Sequence, residues 1–123
     1  MNNYAMAQNS ADVVSRKLYA LDMLAHANHV NTRSYANHKA FGTFYEFVSD
    51  FKDRVIEYMM GKGKLVSVKV AVVETGDDLV NEATMFADMF YEYASMCDDE
   101  AMENMAADFT EAVGKLKYML MLK

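Results

Sequence analysis

Residues 41–59, FGTFYEFVSDFKDRVIEYM, decide the fold. Phe41, Phe44, Val48, Phe51, Val55 and Met59 recur at spacings of 3, 4, 3, 4 and 4, while Glu46, Lys52 and Arg54 fall between them. That is the period of an amphipathic helix with one apolar stripe facing a core. Ser34 is of the right type to cap its start, and GKGK from Gly61 supplies the glycines that end it.

Immediately upstream lies HVNTRSYANH, His29 to His38, where a helical hairpin has to turn. With His26 it holds all three histidines of the chain. Before it, residues 8–30 read as a first helix with Val14, Leu18, Leu21 and Ala25 on one stripe, Ser10 or Asp12 serving as cap.

After the glycines, LVSVKVAVV at residues 65–73 is rich in valine and half alternates with period 2, which favours an extended connection over a lone strand or a short buried helix. A third helix is expected beyond Thr75-Gly76-Asp77, with Leu79, Ala83, Phe86, Phe90 and Cys97 on one face and Tyr93 or Ala94 filling the gap. Asp98-Asp99-Glu100 reads as a tight turn and cap, since negative charge favours a helix start. The fourth helix carries Met105, Phe109, Ala112, Leu116 and Met119. Two short turns and one long connection, residues 61–76, predict a single all-α domain over residues 1–123. It is an antiparallel four-helix bundle of two hairpins joined by a crossover.

The rest of the composition narrows the function classes. An apolar fraction of 53% excludes intrinsic disorder, and no stretch approaches the roughly 18 uncharged apolar residues of a membrane span. The N-terminal MNNYAMAQNS has no basic region and does not read as a signal peptide. One cysteine, Cys97, suits a reducing cytoplasm and reads as a small buried hydrophobe. A net charge of −6 and no Lys or Arg in the first fifteen residues argue against nucleic-acid binding. Lys62, Lys64 and Lys69 make only a short, solvated basic loop. No proline, five glycines and twelve methionines suit long helices with an adaptable core or interface. No nucleophile motif or phosphate loop points to a hydrolase.

What remains is a set of metal-ligand types. Asp22, His26 and His29 share one face of the first helix, and Asp53 and Glu57 share one face of the second. Imidazole with carboxylate suits iron, zinc or manganese. His38 and Asp53 are fifteen residues apart, or about 22 Å along a straight helix. The antiparallel first helix brings His26 and His29 to the level of His38, not to that of the acidic pair. One chain cannot close this site; two chains packed antiparallel about a twofold axis can. The third and fourth helices contain no histidine, which excludes the Glu-x-x-His pairs of a di-iron site within one subunit.

These intervals resemble those of Dps, the ferritin-like DNA-protection proteins that oxidise and store iron. His26, His38, Asp53 and Glu57 follow the spacing of 12, 15 and 4 found there. HVNTRSYANHKAF, followed by Tyr45, Asp53, Glu57 and Gly61, and the closing MENMAADFTEAVGKLKYMLMLK resemble more closely a family of short ferritin-like proteins of tailed phages. That family carries HWQTKSYAEHKAL at the turn, and the similarity spans about residues 18–61 and 102–123. In its register His29, not His26, is the leading histidine.

The chain departs from both patterns. Ala27 and Val30 stand where tryptophan follows the leading histidine, and Gly42 stands where Dps has a further acidic ligand. The basic DNA-binding tail of some Dps proteins is missing. The resemblance implies a ferritin-like homo-oligomer, a dimer or a larger shell, in the cytoplasm of a phage-infected bacterium or in the virion. Its metal set would be His26 or His29 with His38, plus Asp53 and Glu57 of a second subunit, binding Fe or alternatively Zn or Mn. Any enzyme activity would be a Dps-type ferroxidase. The alternative it implies is a metal-free bundle that binds a host or virion protein.

Overall fold

The computed structural model describes residues 3–64 and 78–122, with side chains from residue 11 onward. Residues 65–73, expected to be extended, and Lys69 lie outside the described residues. Four helices run in order: α1 (Asn3–Asn31), α2 (Tyr35–Gly61), α3 (Leu79–Cys97) and α4 (Glu100–Met121).

Three of the four were expected within a residue or two. The first starts earlier than its sequence indicates: α1 begins at Asn3, so Ser10 and Asp12 are interior positions and not caps. A serine or aspartate caps a helix only where the chain leaves helical geometry. No glycine or proline in the first 31 residues makes it do so.

The other ends behave as their residue types dictate. The Ser34 hydroxyl accepts from the Asn37 backbone N–H at 3.2 Å. Gly63, at φ +81°, takes the left-handed conformation that a side chain disfavours, and the Lys64 backbone N–H turns back to the Met59 carbonyl at 3.1 Å. Asp78 caps α3 by accepting from the Val80 and Asn81 N–H groups. Between α3 and α4 the chain reverses in two residues. Asp98 adopts φ 50°, a region Asp tolerates better than most, and Asp99 accepts from the Ala101 and Met102 N–H groups.

In cross-section the helices form a square. α1 and α4 each pack on both α2 and α3, and α2 and α3 face each other across the diagonal, meeting through long side chains such as Phe51 and Phe90. The end of α2 lies beside the end of α3, where Lys64 reaches Cys97 and Tyr58 reaches Asp99. The start of α3 lies instead by the first turn, where Asp78, Leu79 and Val80 share a groove with Asn28, Asn37 and Phe41. α2 and α3 therefore run in the same direction. The order of directions is up, down, down, up.

The core follows the stripes. Val14, Leu18, Leu21 and Ala25 are buried with Phe44, Val48, Phe51, Val55 and Met59, while Phe41 is only half-buried. Tyr93 and Ala94 are both buried, so each fills the gap that one was expected to fill. Phe109 is the centre: its ring meets those of Phe44, Phe47, Phe51 and Phe86 at centroid distances of 4.8–6.1 Å.

Candidate functional site

The hairpin turn positions the histidines. His29 lies in the last turn of α1 and His38 in the first turn of α2. Their rings stack at 3.9 Å between centroids, 20° from parallel. Each ring also reaches the other residue's backbone: His29 Nδ1 lies 3.0 Å from the His38 carbonyl, and His38 Nδ1 lies 2.7 Å from the His29 carbonyl.

A carbonyl oxygen only accepts, so both Nδ1 atoms must donate. In the neutral rings this leaves each Nε2 with a bare lone pair. An imidazole whose second nitrogen is held by a carbonyl is oriented for a metal, because the bond fixes tautomer and ring direction together.

Gly42 makes room for this arrangement. A Cβ built there would lie 2.8 Å from His29 Cε1 and 2.9 Å from its Nδ1, far inside contact distance. The position read in sequence as a lost acidic ligand is therefore the floor on which the His29 ring rests. The signal was present, since a glycine inside a helix costs about 1 kcal/mol relative to alanine and asks for a packing reason.

His26 sits apart from the pair. It is exposed, packs against Tyr45 at 4.8 Å and keeps its ring 6.4 Å from that of His29. Tyr45 also lies over His29 at 6.3 Å, so one tyrosine borders all of this end.

The remaining candidates are elsewhere. Asp53 and Glu57 are exposed and line an open groove of about 710 Å³ between α2 and α4, with Asp50, Arg54, Tyr58 and Asn104. They do not flank Arg54 as ion-pair partners, because Arg54 donates to Asp108 on α4 at 2.9 Å. Among the described residues no three His, Cys, Asp or Glu side chains gather closely enough to hold a metal in one chain.

Asp22 is not the solvated residue its spacing with His26 and His29 suggests. It pairs with Lys52 at 2.5 Å, the two side chains only 16% and 15% exposed, and Lys52 also lies over the Tyr19 ring at 4.5 Å. Burial alone would lower the Lys52 ammonium, but the hydrogen bond and charge of Asp22 outweigh it and hold it above its ordinary value. Its second oxygen, Oδ1, is buried without a hydrogen-bond partner. The pair ties α1 to α2 and leaves Asp22 spoken for as a ligand.

The opposite end holds a second cluster, which sequence reasoning read as a solvated loop and a buried thiol. Lys64 Nζ donates to Tyr93 Oη at 2.9 Å and to Cys97 Sγ at 3.0 Å. Cys97 is half-buried and lines a cavity of about 330 Å³ with Tyr58, Lys62, Lys64 and Asp99. Lys64 is therefore half-buried and tied to α3, and Cys97 packs at the edge of the core with its residue on the cavity wall. Burial pushes the Tyr93 phenol up to about 12, against the pull of the Lys64 ammonium. Nearby, Tyr58 Oη donates to both oxygens of Asp99, at 2.7 and 2.9 Å.

Among the described residues no helix is long and apolar enough to cross a membrane. No curated protein and no solved structure matches the chain. A family model does match, over residues 29–120, a span that opens on His29 and takes in His38, Gly42, Asp53 and Glu57. The chain belongs to that family, a family of unknown function (DUF5856).

Proposed function

We propose that this protein is a ferritin-like bundle that binds a divalent transition metal, iron by preference, between two subunits. His29 and His38 of one chain would supply two Nε2 atoms, and Asp53 and Glu57 of the other two carboxylates. Two neutral imidazoles and two carboxylates balance the charge of Fe(II), Zn(II) or Mn(II) and suit their ligand preferences.

The observation that carries the reading is the reciprocal pair of ring-to-carbonyl hydrogen bonds, which leaves the Nε2 lone pair of each neutral ring for a ligand. The up-down-down-up order of helices supports the ferritin-like part. Charge supports the antiparallel pairing: exposed Arg33 and Lys39 flank the histidine end, while exposed Asp50, Asp53 and Glu57 mark the other. His26 is the weaker ligand candidate, because its ring packs on Tyr45 and no carbonyl holds it. Iron is here a substrate, bound and stored, and its oxidation at the site would make the protein a ferroxidase.

Complementation tests the idea. His38→Ala and Asp53→Ala should each abolish Fe(II) uptake under anaerobic loading, although the two residues lie about 22 Å apart in one chain. Unfolding and remixing the two variants should restore uptake. In a mixed dimer one of the two sites regains its full set of ligands. Uptake that survives either substitution, or a mixture as inert as its parents, would sink the proposal.

A second reading keeps the bundle and drops the metal. Exposed Met23, Val30 and Met60 on α1 and α2 favour a protein partner, such as a phage, host or virion component. Light scattering with metal analysis separates the two, since here the assembly would persist in both variants without any metal.

A further inference from the structure

The Lys64–Cys97 contact joins two nucleophiles that are 33 residues apart in sequence, at 3.0 Å, on the wall of a solvent-open cavity. Nothing in the metal reading uses it. The amine sits on the second residue beyond the α2 cap, and the thiol on the last residue of α3. Tyr93 Oη holds the same ammonium at 2.9 Å, so Lys64 is aimed at the sulfur from a fixed platform.

We propose that hydrogen peroxide converts this pair into a covalent Lys64–Cys97 link, a sulfenamide that locks this end of the bundle. Cys97, as the thiolate, attacks one peroxide oxygen; the S–O bond forms and the O–O bond breaks. The departing hydroxide takes a proton from the Lys64 ammonium and leaves as water. That transfer leaves a neutral amine beside a sulfenic acid. The nitrogen lone pair then attacks sulfur and the S–N bond forms. The sulfenic oxygen leaves as a second water, taking one proton from the nitrogen. Sulfur is oxidised by two electrons, peroxide is reduced, and one peroxide yields two waters. A thiol reductant reverses the link by attack on sulfur.

The geometry sets the competition. Cys97 is the chain's only cysteine, so no thiol in the same chain can trap the sulfenic acid first. Lys64 is the nucleophile already in contact. Met59 lines the same cavity and lies 3.6 Å from Tyr93 Oη, but a thioether oxidises without forming a link.

Peptide mapping tests this on the intact protein, because oxidation of the twelve methionines would blur a whole-chain mass. After mild hydrogen peroxide, the wild type should give a crosslinked pair of peptides containing Lys64 and Cys97, two hydrogens lighter than their sum. Dithiothreitol should cleave it, and the linked form should melt several degrees higher than the reduced form. Lys64→Arg keeps the cation but is a poor nucleophile at this pH. It should form no link and instead accumulate a sulfenic acid that dimedone captures. Wild-type protein that gives the same dimedone adduct with Lys64 unmodified would overturn the proposal. So would an identical yield of crosslink in Lys64→Arg.

Discussion

The two ends of the bundle are fastened by different means. At the turn end, two rings are held by backbone carbonyls and by each other, and the bonds join residues only nine positions apart, 29 and 38. At the other end, side chains hold side chains across long separations: Tyr58 to Asp99, Lys64 to Tyr93 and Cys97. The first kind of fastening fixes which nitrogen of each ring carries the proton. The second ties α2 to α3 and α4 where the chain itself joins α2 to α3 only by way of the far end. The difference separates a place built to present lone pairs from a place built to hold helices together.

The comparison predicts that both ends depend on the middle more than on each other. Phe109 is fully buried and its ring meets four other aromatic side chains on α2 and α3. Phe109→Ala should cost about 3–5 kcal/mol in urea denaturation, the range for emptying a phenylalanine-sized space in a packed core. One cooperative transition seen by probes at both ends is expected. Separate transitions would break the picture of a shared core.

A smaller effect isolates the charged end. The Tyr58 hydroxyl is the chief cause that holds the Asp99 carboxyl below the ordinary aspartate value; burial opposes it, and the Met102 and Ala101 N–H groups and Lys62 add to it. A carboxyl depressed in the folded state stabilises above its unfolded value, and that contribution is lost as pH falls through the folded one. Tyr58→Phe should therefore make the loss of stability on acidification shallower, while the turn end is untouched. Melting temperatures across the acid range provide the measurement. A Tyr58→Phe curve parallel to wild type would remove Asp99 from the account.

These particulars also mark what could be read from the chain alone. Period, caps and breakers are local, so α2, α3, α4 and both two-helix turns were legible from single stretches. The early start of α1 was not, because Ser10 and Asp12 look like caps by type and nothing in sequence says whether the chain bends there. For the site, the rise per residue was enough to show that one chain cannot bring His38 to Asp53. The locking of the ring nitrogens depends on where two carbonyls point across the turn. No spacing reports that. Likewise Lys64 and Cys97 look like a loop lysine and a core thiol until the parallel run of α2 and α3 brings their C-terminal ends together.

The smallest expected change in stability bears most directly on the turn end. Gly42→Ala should gain about 1 kcal/mol of helix propensity. It should lose the His29 ring from its bed, and with it two hydrogen bonds worth about 1 kcal/mol each at net. The balance is a net loss of about 1 kcal/mol, so the melting temperature should fall by only a few degrees. The ring nitrogens should move a great deal. In wild type both His29 and His38 must carry the proton on Nδ1, whereas freed imidazoles favour Nε2–H. Nitrogen NMR of the neutral side chains reads that tautomer directly and needs no metal. Retention of the Nδ1–H form at both residues in Gly42→Ala would mean that the turn holds the rings without the glycine. The floor beneath His29 would then be incidental. Loss of that form with the fold intact would show that a single missing methyl group decides where the two lone pairs point.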